Sequence, residues 1–572
     1  MKLICALCAL LAFAGSAMAL DREAFSFTRY DLDATIDTSQ QRLGMRGKIT
    51  LRNDSDSPQR NIVLQISSSL HWVSIQIGGK AADFITQTYT SDIDHTGALS
   101  EAILSLPKPV APKETIEVTV GYEGTIPQDS TRLTRIGVPS EVSKHSDWDQ
   151  ISASFTVVRG IGYVAWYPIA TEVANMSDAA SITEAVGRWK QREHDAEMKV
   201  CMPGEAFMND DSHGVPGAKL SGDTTGNSFG CVQHSFLGGT DTVPLFGMAE
   251  LTEAQSGNIS IRYSADHKSA ADDYILALTQ VSPSVSVWLG GHTAPNGAKA
   301  TVIDLPDPNA APFQSGNTLL MPLVGDETTM LLMAVQQVAQ LDFPSPRPWI
   351  NKGLARYIQV RYVEQEKERA GALRYLSSHR GPLIEMERRS PEKGSAAAAT
   401  RSLINSSDEF YIEAKAMNVW WMLRDLVGET ALTSALHNYK ASDDKDALYM
   451  QKLIEQQSHR DLTWFFDDWV YRDRGLPDFH IDSVHARAVV SGGYLATVTV
   501  ENLGGAAAEV PVRLEMTEGE ATEKLIVPGK SKASVRILAA TTPTKAIVND
   551  GTVAESDINN NEFTITEELL NH

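Results

Sequence analysis

The stretch Asp326-Glu-Thr-Thr-Met-Leu-Leu-Met-Ala-Val-Gln-Gln-Val-Ala-Gln-Leu341 reads as one strong apolar helix. Its apolar residues do not alternate as a half-buried strand requires. Gln336, Gln337 and Gln340 form a polar stripe along it. A sharp reading makes the stripe a cleft wall that holds peptide by hydrogen bonds. The plainer reading, a solvated or satisfied polar face, is preferred, because Gln is a good helix former. Asp326 and Glu327 open the helix, where acids offset its dipole without catalysis.

Working outward, helical spacing is expected over Ala270 to Leu289, Leu354 to Tyr375, Ser407 to Val427, Thr430 to Tyr439, Asp446 to Gln457 and Leu462 to Tyr471. Asp461 is placed as the N-cap of the last. The small-residue run Ser395 to Thr400 reads as a loop or a frayed helix. Upstream, Tyr30 to Asp37, Gly47 to Arg52 and Ile116 to Tyr122 alternate apolar with polar residues, and turn clusters such as Asn53 to Pro58 separate them. This predicts a large antiparallel β domain with one buried face. Alternation returns after Phe479, which predicts a small β-sandwich. The fold class is therefore multidomain α+β. No repeat of fixed period is present.

The chain has 572 residues, enough for three or four domains, and its 42% hydrophobic and 21% charged residues suit a globular protein. The formal net charge of −22 argues against nucleic acid, whose phosphates need a basic footprint. Met1 to Ala19 has the form of a secretory signal: Lys2, an apolar run, then Ala17-Met18-Ala19. The expected location is periplasmic or secreted, and no later stretch is apolar for long enough to span a membrane. Cys5 and Cys8 lie inside the signal. Cys201 and Cys231 lie in strand-like sequence, and in an exported chain a disulfide between them is preferred over two buried thiols.

Several segments give this order of domains a family likeness. Trp349-Ile-Asn-Lys-Gly-Leu-Ala-Arg-Tyr357 is similar to the W-L-N-E-G-F-A-x-Y helix start of the alanyl-aminopeptidase and leukotriene-hydrolase family of gluzincin zinc peptidases, the M1-like peptidases. Asp461 to Tyr471 followed by Gly475-Leu-Pro477 resembles that family's late helical segment. Met422-Leu-Arg-Asp425 with Gly428-Glu429 resembles a third, and Tyr30 to Arg52 looks like its opening strands. After the signal peptide over 1–19, the resemblance implies an aminopeptidase-like β domain over 20–264, a thermolysin-like, mostly helical domain over 265–476, and a β-sandwich with tail over 477–572.

The family's chemistry needs H-E-x-x-H on one helix, so that two histidines share a face and bind zinc while the Glu acts as general base. The matching helix here puts Val335 and Ala339 at the histidine positions and Gln336 at the Glu position. Lys352 stands where the third ligand, a Glu, belongs. An alternative register puts Thr329, Met330 and Met333 at those helix positions and gives no ligand set either. No histidine lies between His292 and His379, and no two of the fourteen are four residues apart. An ammonium at the position of Lys352 repels a dication.

Two further elements differ. Where the family's G-x-M-E-N strand carries an acid for the substrate's amino group, Ala311 to Asn317 has none, and Gln314 is a candidate cleft residue. Glu413 falls at the position of the transition-state Tyr, with Tyr411 two residues away. Gln340 and Arg356 are the other candidate cleft residues. Lys352 is expected to pair with an internal acid, Glu413 first. Trp420, Trp421, Trp464 and Trp469 are expected in the core. Trp166-Tyr167-Pro168 resembles a segment of bacterial members and has no assigned role. No G-x-S-x-G elbow, P-loop or C-x-x-C pair offers replacement chemistry, and Ser315 stands without a base.

The expectation is an exported, catalytically inactive homologue of zinc aminopeptidases with no catalytic residue, no metal and no cofactor. It would act by binding a peptide or an envelope protein. The alternative is an active metallo-aminopeptidase with a displaced metal site, and zinc belongs only to that alternative. A third reading makes the β domains functional and the helical domain a scaffold.

Overall fold

A computed structural model describes residues 20–177, 179–209, 215–217, 231–237, 242–291, 299–389, 402–406, 409–472, 474–490 and 492–566. The signal at 1–19 and the Ser395 to Thr400 run lie outside these residues. The chain divides into two compact units, 1–250 and 251–572.

In the first unit, strand Phe25–Asp37 pairs antiparallel with Arg42–Asn53 along nearly its whole length. Its other edge pairs in parallel with Glu197–Pro203. The eight-stranded sheet is therefore mixed, where the alternation alone predicted an antiparallel one. Parallel pairing needs a crossover, and helix α1 (Ala179–Arg192) lies in the connection. The alternation has its expected cause, since Tyr30, Leu32, Ile49 and Leu51 are all buried. Trp166 and Tyr167 are also in this core. The backbone beside them accepts two buried phenol hydroxyls: Tyr30 donates to the Pro168 carbonyl at 3.0 Å and Tyr122 to the Trp166 carbonyl at 3.1 Å. Cys201 and Cys231, on the neighbouring antiparallel strands Glu197–Pro203 and Cys231–Leu237, form a disulfide with Cα atoms 5.5 Å apart.

The second unit begins earlier than the expected boundary at 264. Strands Thr252–Ser256 and Ile259–Tyr263 join a five-stranded sheet with Ala300–Asp304, Thr318–Met321 and, at its edge, Phe313–Ser315. The helices follow: α2 (Lys268–Leu289), α3 (Glu327–Asp342), α4 (Pro348–Ser378), α5 (Arg380–Arg389), α6 (Glu409–Val427), α7 (Glu429–His437) and α8 (Tyr449–Ser458). Asp326 caps α3 by accepting the Thr329 amide at 2.7 Å. Gly290, at φ 93°, ends α2 in the left-handed conformation that glycine tolerates. Asp461 lies one residue before the cap position at Leu462, yet still accepts the Thr463 amide at 2.9 Å. Trp349 stacks on Trp420 with ring centres 5.2 Å apart, and Trp420, Trp421 and Trp469 are fully buried. Trp464 is only partly buried. The sandwich has a three-stranded sheet (Phe479–Ala488, Tyr494–Asn502, Ser531–Ala539) and a four-stranded one, and its core is continuous with the helical core. No described helix is long and apolar enough to cross a membrane.

Candidate functional site

Helices α3, α4 and α6 and the edge strand Phe313–Ser315 bring together most of the residues singled out in the sequence. Val335 and Ala339 face inward and are buried in the apolar core of the unit. Neither carries a donor atom for a metal. Gln336, one residue on, is 4% exposed and belongs to a run of side-chain amides.

The run starts at an ion pair. Arg356 reaches Glu413 through Nε at 2.7 Å and Nη2 at 2.6 Å, both to Oε2. Its Nη1 donates to Gln359 Oε1 at 3.2 Å. Gln359 Nε2 donates to the Leu332 carbonyl at 2.7 Å and to Gln336 Oε1 at 3.2 Å. Gln336 Nε2 donates to Gln314 Oε1 at 2.7 Å, and Gln314 Nε2 donates to Gln340 Oε1. Tyr375 adds a long bond, 3.4 Å, from its hydroxyl to Gln359 Oε1. Each amide gives its hydrogen in the same sense, away from the guanidinium. Such chains polarise one another in a low-dielectric interior, so they hold together more firmly than separate pairs.

Helical spacing sets this up. Arg356 and Gln359 are three residues apart, and Gln336 and Gln340 four, so each pair shares a face. Burial works against the charge on Arg356, but the adjacent Glu413 carboxylate overrides it and holds the guanidinium above its ordinary pKa. Burial also pushes the Tyr375 phenol up, with Arg356 pulling the other way.

One expectation changes. Glu413 takes Arg356, not Lys352, as its ion-pair partner. A guanidinium presents several donors in a fixed plane, so Arg356 can serve the carboxylate and Gln359 together, which an ammonium on a flexible stem does less well. Tyr411, two residues before Glu413 and so on another face of α6, accepts a hydrogen bond from Lys415 Nζ at 2.5 Å. Lys415 is buried and pairs with Glu387 at 3.3 Å. Gln359 and Tyr375 were not singled out from sequence. Gln359 carried a signal, as a lone amide between Ile358 and Val360 three residues after Arg356.

These residues do not fit the zinc ion that the resemblance implies. Val335 and Ala339 offer carbon only, and in the alternative register Thr329 spends its hydroxyl on the Asp326 cap at 2.9 Å. Among the described residues, one group brings three metal-ligating atoms within 4.8 Å of one another: His480, Asp482 and Glu501, in the sandwich. Lys532 already lies among them, with Nζ 2.6 Å from Asp482 Oδ1 and 3.1 Å from Glu501 Oε2. Its ammonium takes the place of a cation.

A cavity of about 470 Å³ opens elsewhere in this unit, lined by Glu364, Arg369, Arg424, Asp425, Gly428, Glu429 and Lys524. Its charges are paired: Arg424 with Glu364, Arg369 with Asp425 at 2.6 Å, and, to residues outside the lining, Glu429 with Arg361 at 2.6 Å and Lys524 with Glu509 at 3.4 Å. None of the network residues lines it.

No protein-family model matches the chain, and no curated protein matches it either. Among solved structures it is similar to the M1 zinc metallopeptidase from Deinococcus radiodurans, at 16% sequence identity, with a TM-score of 0.40. The match covers 77% of this chain and 92% of that one.

Proposed function

We propose that the chain is an exported, catalytically inactive homologue of the gluzincin aminopeptidases that works by binding a peptide or a protein in the cell envelope. The observation that carries this reading is the Arg356–Glu413 pair and the amides it orients. They join the helices and the edge strand at which the resemblance locates zinc, general base and oxyanion donor. A fixed guanidinium there repels a dication, and the carboxylate of the network, Glu413, is held by that guanidinium. The alternative, a metallo-aminopeptidase with a displaced metal, has one foothold in the His480–Asp482–Glu501 group, and Lys532 counts against it.

The test is elemental analysis of the purified chain, with hydrolysis of aminoacyl-amide substrates measured with and without chelator. Substoichiometric zinc and no chelator-sensitive turnover are expected. One zinc per chain, or turnover that a chelator abolishes, overturns the reading.

A further inference from the structure

Four arginines are buried among the described residues. Three of them hold a carboxylate through two of their nitrogens: Arg132 with Asp147, Arg159 with Asp149 and Arg424 with Glu364. The fourth is Arg380, the first residue of α5, which is 7% exposed. Its printed contacts among the described residues are all to neutral oxygens. Nη2 donates to the Gly551 carbonyl, and Nε makes a long bond, 3.4 Å, to Asn418 Oδ1. Nη1 has no hydrogen-bond partner among the described residues.

A buried charge without a countercharge is costly, and a guanidinium does not readily shed its proton to escape. Burial pulls the pKa of Arg380 down to about 10, which still leaves it charged at neutral pH. The acids whose fields reach it are Glu555 and Asp550, and both are engaged elsewhere. Glu555 accepts from Asn549 and Asn561 on one oxygen and from the Phe479 amide on the other. Asp550 accepts the Thr552 amide and hydroxyl on Oδ1, and its Oδ2 faces Arg369 at 3.7 Å. There is also room beside Nη1. A Cβ placed on Gly551 would meet that nitrogen at 3.9 Å and no other atom within 4 Å beyond its chain neighbours. Gly551 has φ 96°, a conformation that side chains rarely adopt, so glycine keeps the space clear.

We propose that Arg380 binds a halide ion on its Nη1 side, in the space that Gly551 leaves open. One negative charge balances one guanidinium, and the carboxylates of Glu555 and Asp550 nearby repel a more highly charged ion such as phosphate. The ion's place is at a seam. Arg380 opens helix α5, and Gly551 follows the sandwich strand Pro543–Val548, so the ion ties the helices to the sandwich within the second unit. The inference is independent of the inactive-enzyme reading, because neither Arg380 nor Gly551 belongs to the amide network.

The test is thermal unfolding of the full chain in sodium chloride, sodium bromide and sodium gluconate at one ionic strength. Exchanging gluconate for chloride or bromide should raise the midpoint saturably, by roughly 2–4 °C more in wild type than in Arg380→Met. Crystals of the wild type soaked in bromide should show an anomalous peak in hydrogen-bond contact with Arg380 Nη1, a readout that holds even where Arg380→Met fails to fold. The same response to halide in wild type and Arg380→Met overturns the proposal. So does a crystal structure in which the Asp550 carboxylate has turned onto Nη1, or in which only water lies there at high bromide.

Discussion

Arg356 holds the amide network in register. Removing it leaves the Glu413 carboxylate without its cation and takes one donor from Gln359 Oε1. Arg356→Met should therefore destabilise the chain by about 1–3 kcal/mol in urea unfolding. Adding Glu413→Leu should recover part of that loss, because an apolar pair avoids a stranded charge. A double variant no more stable than the single would mean that the pair does not act as a unit. The sequence exposed half of this site. The missing histidines and Lys352 are legible in a one-dimensional reading, because a ligand set is a matter of residue type and spacing. The partner of Glu413 is not. Arg356 and Lys352 are both cations on one helix, four residues apart, and only the packing of α4 against α6 chooses between them.

At the scale of elements, most helices of the second unit could be read from periodicity, and α3 was legible to within one residue at each end, though not its cap. What escaped was short or mixed. Strands of three to five residues, such as Phe313–Ser315 and Ala300–Asp304, carry too few residues to show alternation. The parallel pairing of Phe25–Asp37 with Glu197–Pro203 joins residues about 170 positions apart and leaves no local mark. Helix α4 also contains a break that its sequence does not announce. Lys367 and Glu368 leave helical geometry, and Glu368 sits at φ 57°, ψ 179°, a region that favours glycine. Glu368→Gly should relieve that strain and raise stability by about 1 kcal/mol in thermal unfolding. A clear loss of stability would instead show that the Glu368 side chain is needed there.

At the scale of the molecule, each compact unit contains a buried acid that resists ionisation. Glu193, 1% exposed and with no well-formed hydrogen bond to its carboxyl oxygens, is pushed up to about 8 by burial, against the smaller pull of the Phe27 amide and Arg192. Glu555 is pushed up to about 7 by burial, although Asn561 and Asn549 donate to it. Both folded values lie above the ordinary 4.5, so the folded chain keeps these protons longer than the unfolded one. Their contribution to stability is complete below about pH 4.5 and is lost as pH rises through 7 and 8. Urea unfolding should show lower stability at pH 9 than at pH 6, with the slope reduced in Glu193→Gln and again in Glu193→Gln/Glu555→Gln. An unchanged slope in the double variant would remove both groups as its cause. The disulfide adds a separate term. Closing a loop of 30 residues constrains the unfolded chain by about 3–4 kcal/mol, so reductant should lower the unfolding midpoint. The same bond decides what a protease can accomplish. A cut anywhere between residues 201 and 231 leaves both halves of the polypeptide covalently joined, so a clipped molecule would travel as one band on a gel and part into two only after reduction.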